Sequence, residues 1–117
     1  MNPVIRDAAE FGILMRDLLA RGAQVRYQAR GMSMWPSIRD GDILTIRPLQ
    51  PKEIAPGQVL MFQKGDGRML VHRLLRVTSG HQPQYEFKGD ALSNSDGVVP
   101  LDSIWGQAIG FERHGRC

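Results

Sequence analysis

The spacing of apolar residues changes character near residue 23, and that change limits the fold more than any other feature of the chain. Upstream, Phe11, Leu14, Met15, Leu18 and Leu19 recur three and four residues apart, with Arg6, Glu10, Arg16 and Asp17 elsewhere on the cylinder. That spacing predicts an amphipathic helix over residues 4–20, stopped by Gly22. Its apolar face suits core packing, and equally a membrane surface or a partner. Downstream, Val25, Tyr27 and Ala29 alternate with polar residues, the pattern of a strand with one buried face. Ile43–Arg47, Val59–Gln63, Met69–Val77, Tyr85–Lys88 and Ile104–Phe111 are further strand candidates rich in β-branched or aromatic residues. Lys64-Gly65-Asp66-Gly67 reads as a hairpin turn, and Asp40-Gly41-Asp42 and Pro56-Gly57 punctuate similarly. The expectation is a mainly β chain with one N-terminal helix, and 117 residues fit one domain, 1–117.

Composition removes several function classes. A net charge of +3, without a block of like charges, gives no nucleic acid footprint. It reads as a solvated surface. One cysteine, Cys117, rules out an internal disulfide framework or a multi-cysteine zinc site. His72, His81 and His114 lack metal-ligand spacing. No apolar run reaches the ~18 residues that span a bilayer, and Arg6, Asp7 and Glu10 sit where a secretory signal needs its apolar stretch. A cytoplasmic location is the resulting expectation. No motif sets an oligomeric state.

Three segments carry side chains capable of chemistry. In Gly31-Met32-Ser33-Met34-Trp35-Pro36-Ser37-Ile38, Gly31 permits close backbone approach and Pro36 fixes the chain direction beyond Ser33. Such a segment holds a nucleophilic hydroxyl at a turn, or is an ordinary loop. A serine nucleophile needs a base within hydrogen-bond reach. Alternation places His72 on one strand face with Leu70 and Leu74, opposite Val71, Arg73 and Leu75. There it is either a base or a satisfied core histidine. The polar loop from Lys88 to Asp96 offers Asp90 and Asp96, which either orient an imidazole or cap a turn.

These segments occur in an order that resembles the type I signal peptidase and LexA-like serine peptidase superfamily. Gly31-Met32-Ser33-Met34-Trp35-Pro36 resembles the family's Ser-Met-x-Pro box, and Asp40-Gly41-Asp42-Ile43-Leu44 the stretch that follows it. Pro56-Gly57-Gln58-Val59-Leu60 and Val71-His72-Arg73-Leu74-Leu75 are similar to the strand opening and the strand of the general base. Lys88-Gly89-Asp90 through Asp96 resembles the acidic box, and Trp105-Gly106-Gln107-Ala108-Ile109-Gly110 the closing strand. The likeness spans about residues 24–110, and it implies a compact, β-barrel-like catalytic core.

The resemblance implies a serine endopeptidase without a cofactor or metal, acting on a leader peptide or partner protein. Ser33 would be the nucleophile. His72 stands where many relatives have a lysine base, so the chain looks like the histidine style of endoplasmic-reticulum and archaeal signal peptidases. Asp96, with Asp90 as second candidate, would orient the imidazole. Free imidazole titrates near ~6.5, so activity is expected to fall below roughly pH 6. Many signal peptidases carry a serine two residues before the nucleophile that helps hold the oxyanion. Gly31 stands there instead, as in the repressors, so backbone N–H groups including that of Ser33 would do this work. Met34 and Trp35 are expected to line the substrate groove, with Trp35 exposed and Tyr85 and Phe87 in the core. The membrane-bound relatives prefer small residues one and three positions before the cut. Their anchors and large extra β-domain have no counterpart here, which leaves peripheral membrane contact through the helix. Two alternatives stand beside the peptidase: a non-catalytic peptide-binding module, and a LexA-like self-cleaving regulator. The second lacks the Ala-Gly bond that such self-cleavage uses.

Overall fold

The computed structural model describes residues 3–113; His114 and Cys117 lie outside them. Helix α1 spans Ala8–Ala20 rather than residues 4–20. Asp7 stops its N-terminal growth: it is extended (φ −126°, ψ 99°) and its carboxylate accepts from the Glu10 N–H, the geometry of an N-cap. The residues before it form strand β1, Val4–Ile5, where two β-branched side chains favour pairing over helix. At the other end Gly22 takes φ +89°, and the N–H groups of Gly22 and Ala23 return to Leu19 and Leu18. This pair of bonds satisfies the last carbonyls and ends the helix.

Seven more strands follow: β2 Val25–Gln28, β3 Ile43–Arg47, β4 Val59–Gln63, β5 Met69–Thr78, β6 Gln84–Lys88, β7 Gly97–Val99 and β8 Ile104–Glu112. They form one sheet in the order β1-β2-β3-β8-β4-β5-β6-β7. The mainly β architecture, with one α-helix among the described residues, is therefore the observed one. The sheet is unclosed, with β1 and β7 at the two ends of the ladder. The last strand lies in the middle, antiparallel to both β3 and β4. The first is short and runs parallel to β2, with Val4 opposite Arg26 and Ile5 opposite Tyr27.

β4 explains how the core is divided. Leu60, Met61 and Phe62 are each fully buried, so this strand is covered on both faces. Met61 joins one cluster with Met15, Leu19, Val25, Leu44 and Ile46, beneath α1. Leu60 and Phe62 join a second with Leu74, Tyr85, Phe87 and Val99, where the Phe62 and Phe87 rings stack at 3.8 Å. Gly106 of β8 sits where a Cβ would meet the Arg47 carbonyl at 2.6 Å, which lets these layers close. A bulge at Leu75 resets the faces of β5, so that Leu74 pairs with Phe87 and Val77 with Tyr85. His72 precedes the bulge, and it and Leu74 are both buried.

Candidate active site

Ser33 stands in the loop between β2 and β3, and several bonds hold that loop in shape. Gly31 adopts φ +82° and donates its N–H to Asp40, at 2.7 Å. The N–H groups of Trp35 and Ile38 return to the Met32 and Met34 carbonyls. Asp42, 1% exposed, accepts from the Arg39 N–H and takes both arms of the Arg113 guanidinium, at 2.9 and 2.8 Å. Arg113 above all, opposed by burial, holds the Asp42 carboxyl below the usual carboxylate range. The turn motif Asp40-Gly41-Asp42 is thus also the anchor of the serine loop.

β5 brings His72 to this serine. Ser33 Oγ lies 2.9 Å from His72 Nε2, and His72 Nδ1 lies 2.6 Å from Asp96 Oδ2. A carboxylate can only accept, so Nδ1 carries the ring proton and Nε2 is left to accept from the serine hydroxyl. The His72 and Asp96 side chains are only 5% and 10% exposed, which keeps water from competing for these bonds. Phe62 covers the imidazole edge-on, with ring centroids 6.4 Å apart. Asp96 is placed by its own N–H, which donates to the Phe87 carbonyl at 2.7 Å, just before Gly97 turns the chain at φ +89°.

Asp90, the second candidate for orienting the imidazole, does not touch it. Its carboxylate takes two bonds from Arg73, at 2.8 and 2.7 Å, and one from the Ser37 hydroxyl at 2.9 Å. Arg73 is the main reason that the Asp90 carboxyl lies below the usual range. This cluster joins the serine loop, through Ser37, to the neighbour of the base and to the acidic loop. Two backbone contacts tighten the same junction. The Ala91 N–H donates to the Ser33 carbonyl at 2.9 Å, and a Cβ on Gly89 would lie 2.6 Å from that oxygen. Sequence reasoning missed Arg73 and Ser37 as partners of Asp90. Their signal was present: Arg73 alternates with His72, and the serine box holds a second hydroxyl.

Beside Ser33 opens a cavity of about 200 Å³, walled mainly by apolar side chains of β2, the serine loop, β3 and β5, including Tyr27, Ile38, Leu44 and Leu70. Burial pushes the Tyr27 hydroxyl pKa up. Met34, expected in a substrate groove, is 4% exposed. It packs in the core and shows one side to this cavity, while its sulfur accepts from the Asp90 N–H. Trp35 is 41% exposed but lies away from the cavity, with the Arg39 guanidinium 4.3 Å from its ring centre. Tyr85 and Phe87 are core residues. Among the described residues no group of His, Cys, Asp or Glu is placed to hold a metal ion. No helix among them is long and apolar enough to cross a membrane.

A family model described as Peptidase S24-like matches residues 9–84, about two thirds of the chain. The chain belongs to the Peptidase S24-like family. The S24-like family includes serine peptidases and LexA-like self-cleaving regulators, and it lies in the superfamily that the ordered motifs resemble. Among curated proteins, no match was found. The matched segment of this S24-like chain contains Ser33 and His72 and ends before Asp90 and Asp96. The acid that meets His72 therefore comes from the loop between β6 and β7, beyond the match.

Proposed function

We propose that this S24-like protein is a serine endopeptidase of signal-peptidase-like type, with Ser33 as nucleophile, His72 as general base and Asp96 as the acid that orients it. The continuous relay from Ser33 Oγ through His72 to Asp96 carries this reading. Ser33 Oγ attacks the scissile carbonyl carbon as its proton passes to His72 Nε2. The carbonyl becomes an oxyanion facing backbone donors. The Ser33 N–H suits this role, having no acceptor of its own among the described residues. Collapse of the intermediate breaks the C–N bond, and His72 returns the proton to the leaving amine. Water then enters, losing a proton to His72 as it attacks the ester, and the serine is released.

The sheet edges beside the cavity support an extended substrate. Residues 69–72 pair with β4 on one side, while β6 joins β5 only from Arg73 onward. Across the cavity, β1 accompanies β2 no further than Tyr27. A peptide entering between them gains main-chain bonds from strand edges that lack partners among the described residues. The apolar cavity then takes an uncharged side chain next to the scissile bond. A leader peptide or an unstructured segment of a partner protein is the substrate class that fits.

The test compares wild type, Ser33→Ala and His72→Ala on an unbiased peptide library, with cleavage read by mass spectrometry. A fluorophosphonate probe reports the nucleophile independently. Wild type is expected to cleave a subset of peptides and to take up the probe at Ser33, with both variants losing at least about 10³-fold in rate. Equal cleavage by all three proteins would overturn the assignment.

A further inference from the structure

A second, larger groove adjoins the candidate active site. It has a volume of about 580 Å³ and lies between α1 and the turn that links β4 to β5. Met69 and Leu70 line both this groove and the cavity beside Ser33, so the two share a wall. Its helical side is made of Ala8, Ala9, Gly12 and Ile13, and Trp105 of β8 contributes a further apolar surface. The small side chains let another backbone come close. A Cβ on Gly12 would find only the Trp105 ring, at 3.9 Å, so the space over Gly12 is open. Ile13 is 70% exposed, far more than an isoleucine with a settled place in a core.

The strand edge gives this groove an occupant. A peptide paired to the edge of residues 69–72 runs parallel to the β5 axis, and continuing past Met69 it enters the space beneath α1. We infer that this groove is the continuation of the substrate-binding site, and that it receives an extended apolar stretch of the substrate several residues from the cleaved bond. The inference rests on the peptidase reading and adds where recognition away from the bond takes place. Charge at the rim defines the occupant further. Arg16 lines the groove and has no acidic partner among the described residues, whereas Arg68 opposite is paired with Asp66. An acidic residue ending the apolar stretch therefore meets a guanidinium that has no acidic partner among the described residues.

The experiment uses quenched fluorogenic peptides with one cleavable sequence. They are either short or extended on one side by about six residues, an apolar run ending in Glu, roughly 20 Å of extended chain. On wild type, extension on the side that overlies β5 is expected to lower KM about tenfold, with kcat little changed. Ile13→Glu and Arg16→Glu are expected to erase that gain while cleaving the short peptide as wild type does. Fluorescence anisotropy of the extended peptide on the Ser33→Ala protein reads the groove without turnover, so loss of cleavage alone leaves this readout intact. Short peptides cleaved by wild type with no advantage from either extension would overturn the groove and leave the peptidase standing. Binding by Ser33→Ala that Ile13→Glu does not weaken would also overturn it. So would a wild-type dimer in sedimentation that Ile13→Glu dissolves, because a second copy would then own the surface.

Discussion

At the scale of single residues, the two acids of the 89–96 loop divide the labour that sequence reasoning left open between them. Asp96 faces the imidazole, and Asp90 faces Arg73 and Ser37. Their substitutions should therefore differ in kind. Asp96→Ala is expected to lower kcat by about 10²- to 10⁴-fold with KM and thermal stability near wild type, since it removes the group that holds the His72 tautomer. Asp90→Ala strips a partly buried guanidinium of its partner and is expected to cost about 1–2 kcal/mol of stability. Steady-state kinetics beside thermal unfolding separates the two, and an Asp90→Ala protein that unfolds as wild type does would refute the clamp. Ser33, His72 and the two acids were legible as candidates because each stands in one of the short segments that carry the resemblance. Which acid meets the imidazole was not, because that is set by the Asp96 N–H bonding to Phe87 and by the turn at Gly97, neither of which leaves a mark in local composition.

At the scale of elements, periodicity served well wherever a segment had one buried face. β3 and β4 run Ile43–Arg47 and Val59–Gln63, the ranges read from alternation and β-branched content. It failed at the edges. Val4 and Ile5 fall in phase with the helix that follows, so only the cap at Asp7 separates strand from helix. β7, three residues long after a polar loop, is too short to show a period. The 89–96 loop has no helix or strand, yet it is tightly held. Lys88 Nζ ties it together through the Gly89 and Leu92 carbonyls, and Gly89 lies against the Ser33 carbonyl. Gly89 has ordinary backbone angles, so its constraint is space. Gly89→Ala pushes a methyl group onto a backbone oxygen that cannot step aside without moving the nucleophile. A loss of about 10²-fold in kcat is expected, with circular dichroism unchanged. Wild-type kcat in that variant would show that the loop yields freely.

For the whole molecule, the serine loop and the acidic loop are each pinned by a carboxylate paired with arginine, and this makes stability depend on acid in a defined direction. Asp42 and Asp90 have folded-state pKa values depressed by Arg113 and Arg73. An unfolded aspartate titrates near ~3.9, so in acid the unfolded chain binds more protons than the folded one. The contribution is complete above about pH 5 and is lost as the pH falls through the lowered folded values. The melting temperature is expected to fall steeply between about pH 5 and pH 3, and less steeply for Asp90→Asn. Equal slopes for the two proteins would refute this linkage.

The central position of β8 has a consequence for when such a protein can first act. The strands before it fall into two ladders, β1-β2-β3 and β4-β5-β6-β7, and among the described residues β8 alone pairs with both. Ser33 belongs to the first, and His72 and Asp96 to the second. A chain growing from the ribosome therefore carries its hydroxyl and its base on two half-sheets that no strand pairing joins until residues 104–112 have emerged. Pairing of that last strand is the step that fixes the two halves in one sheet.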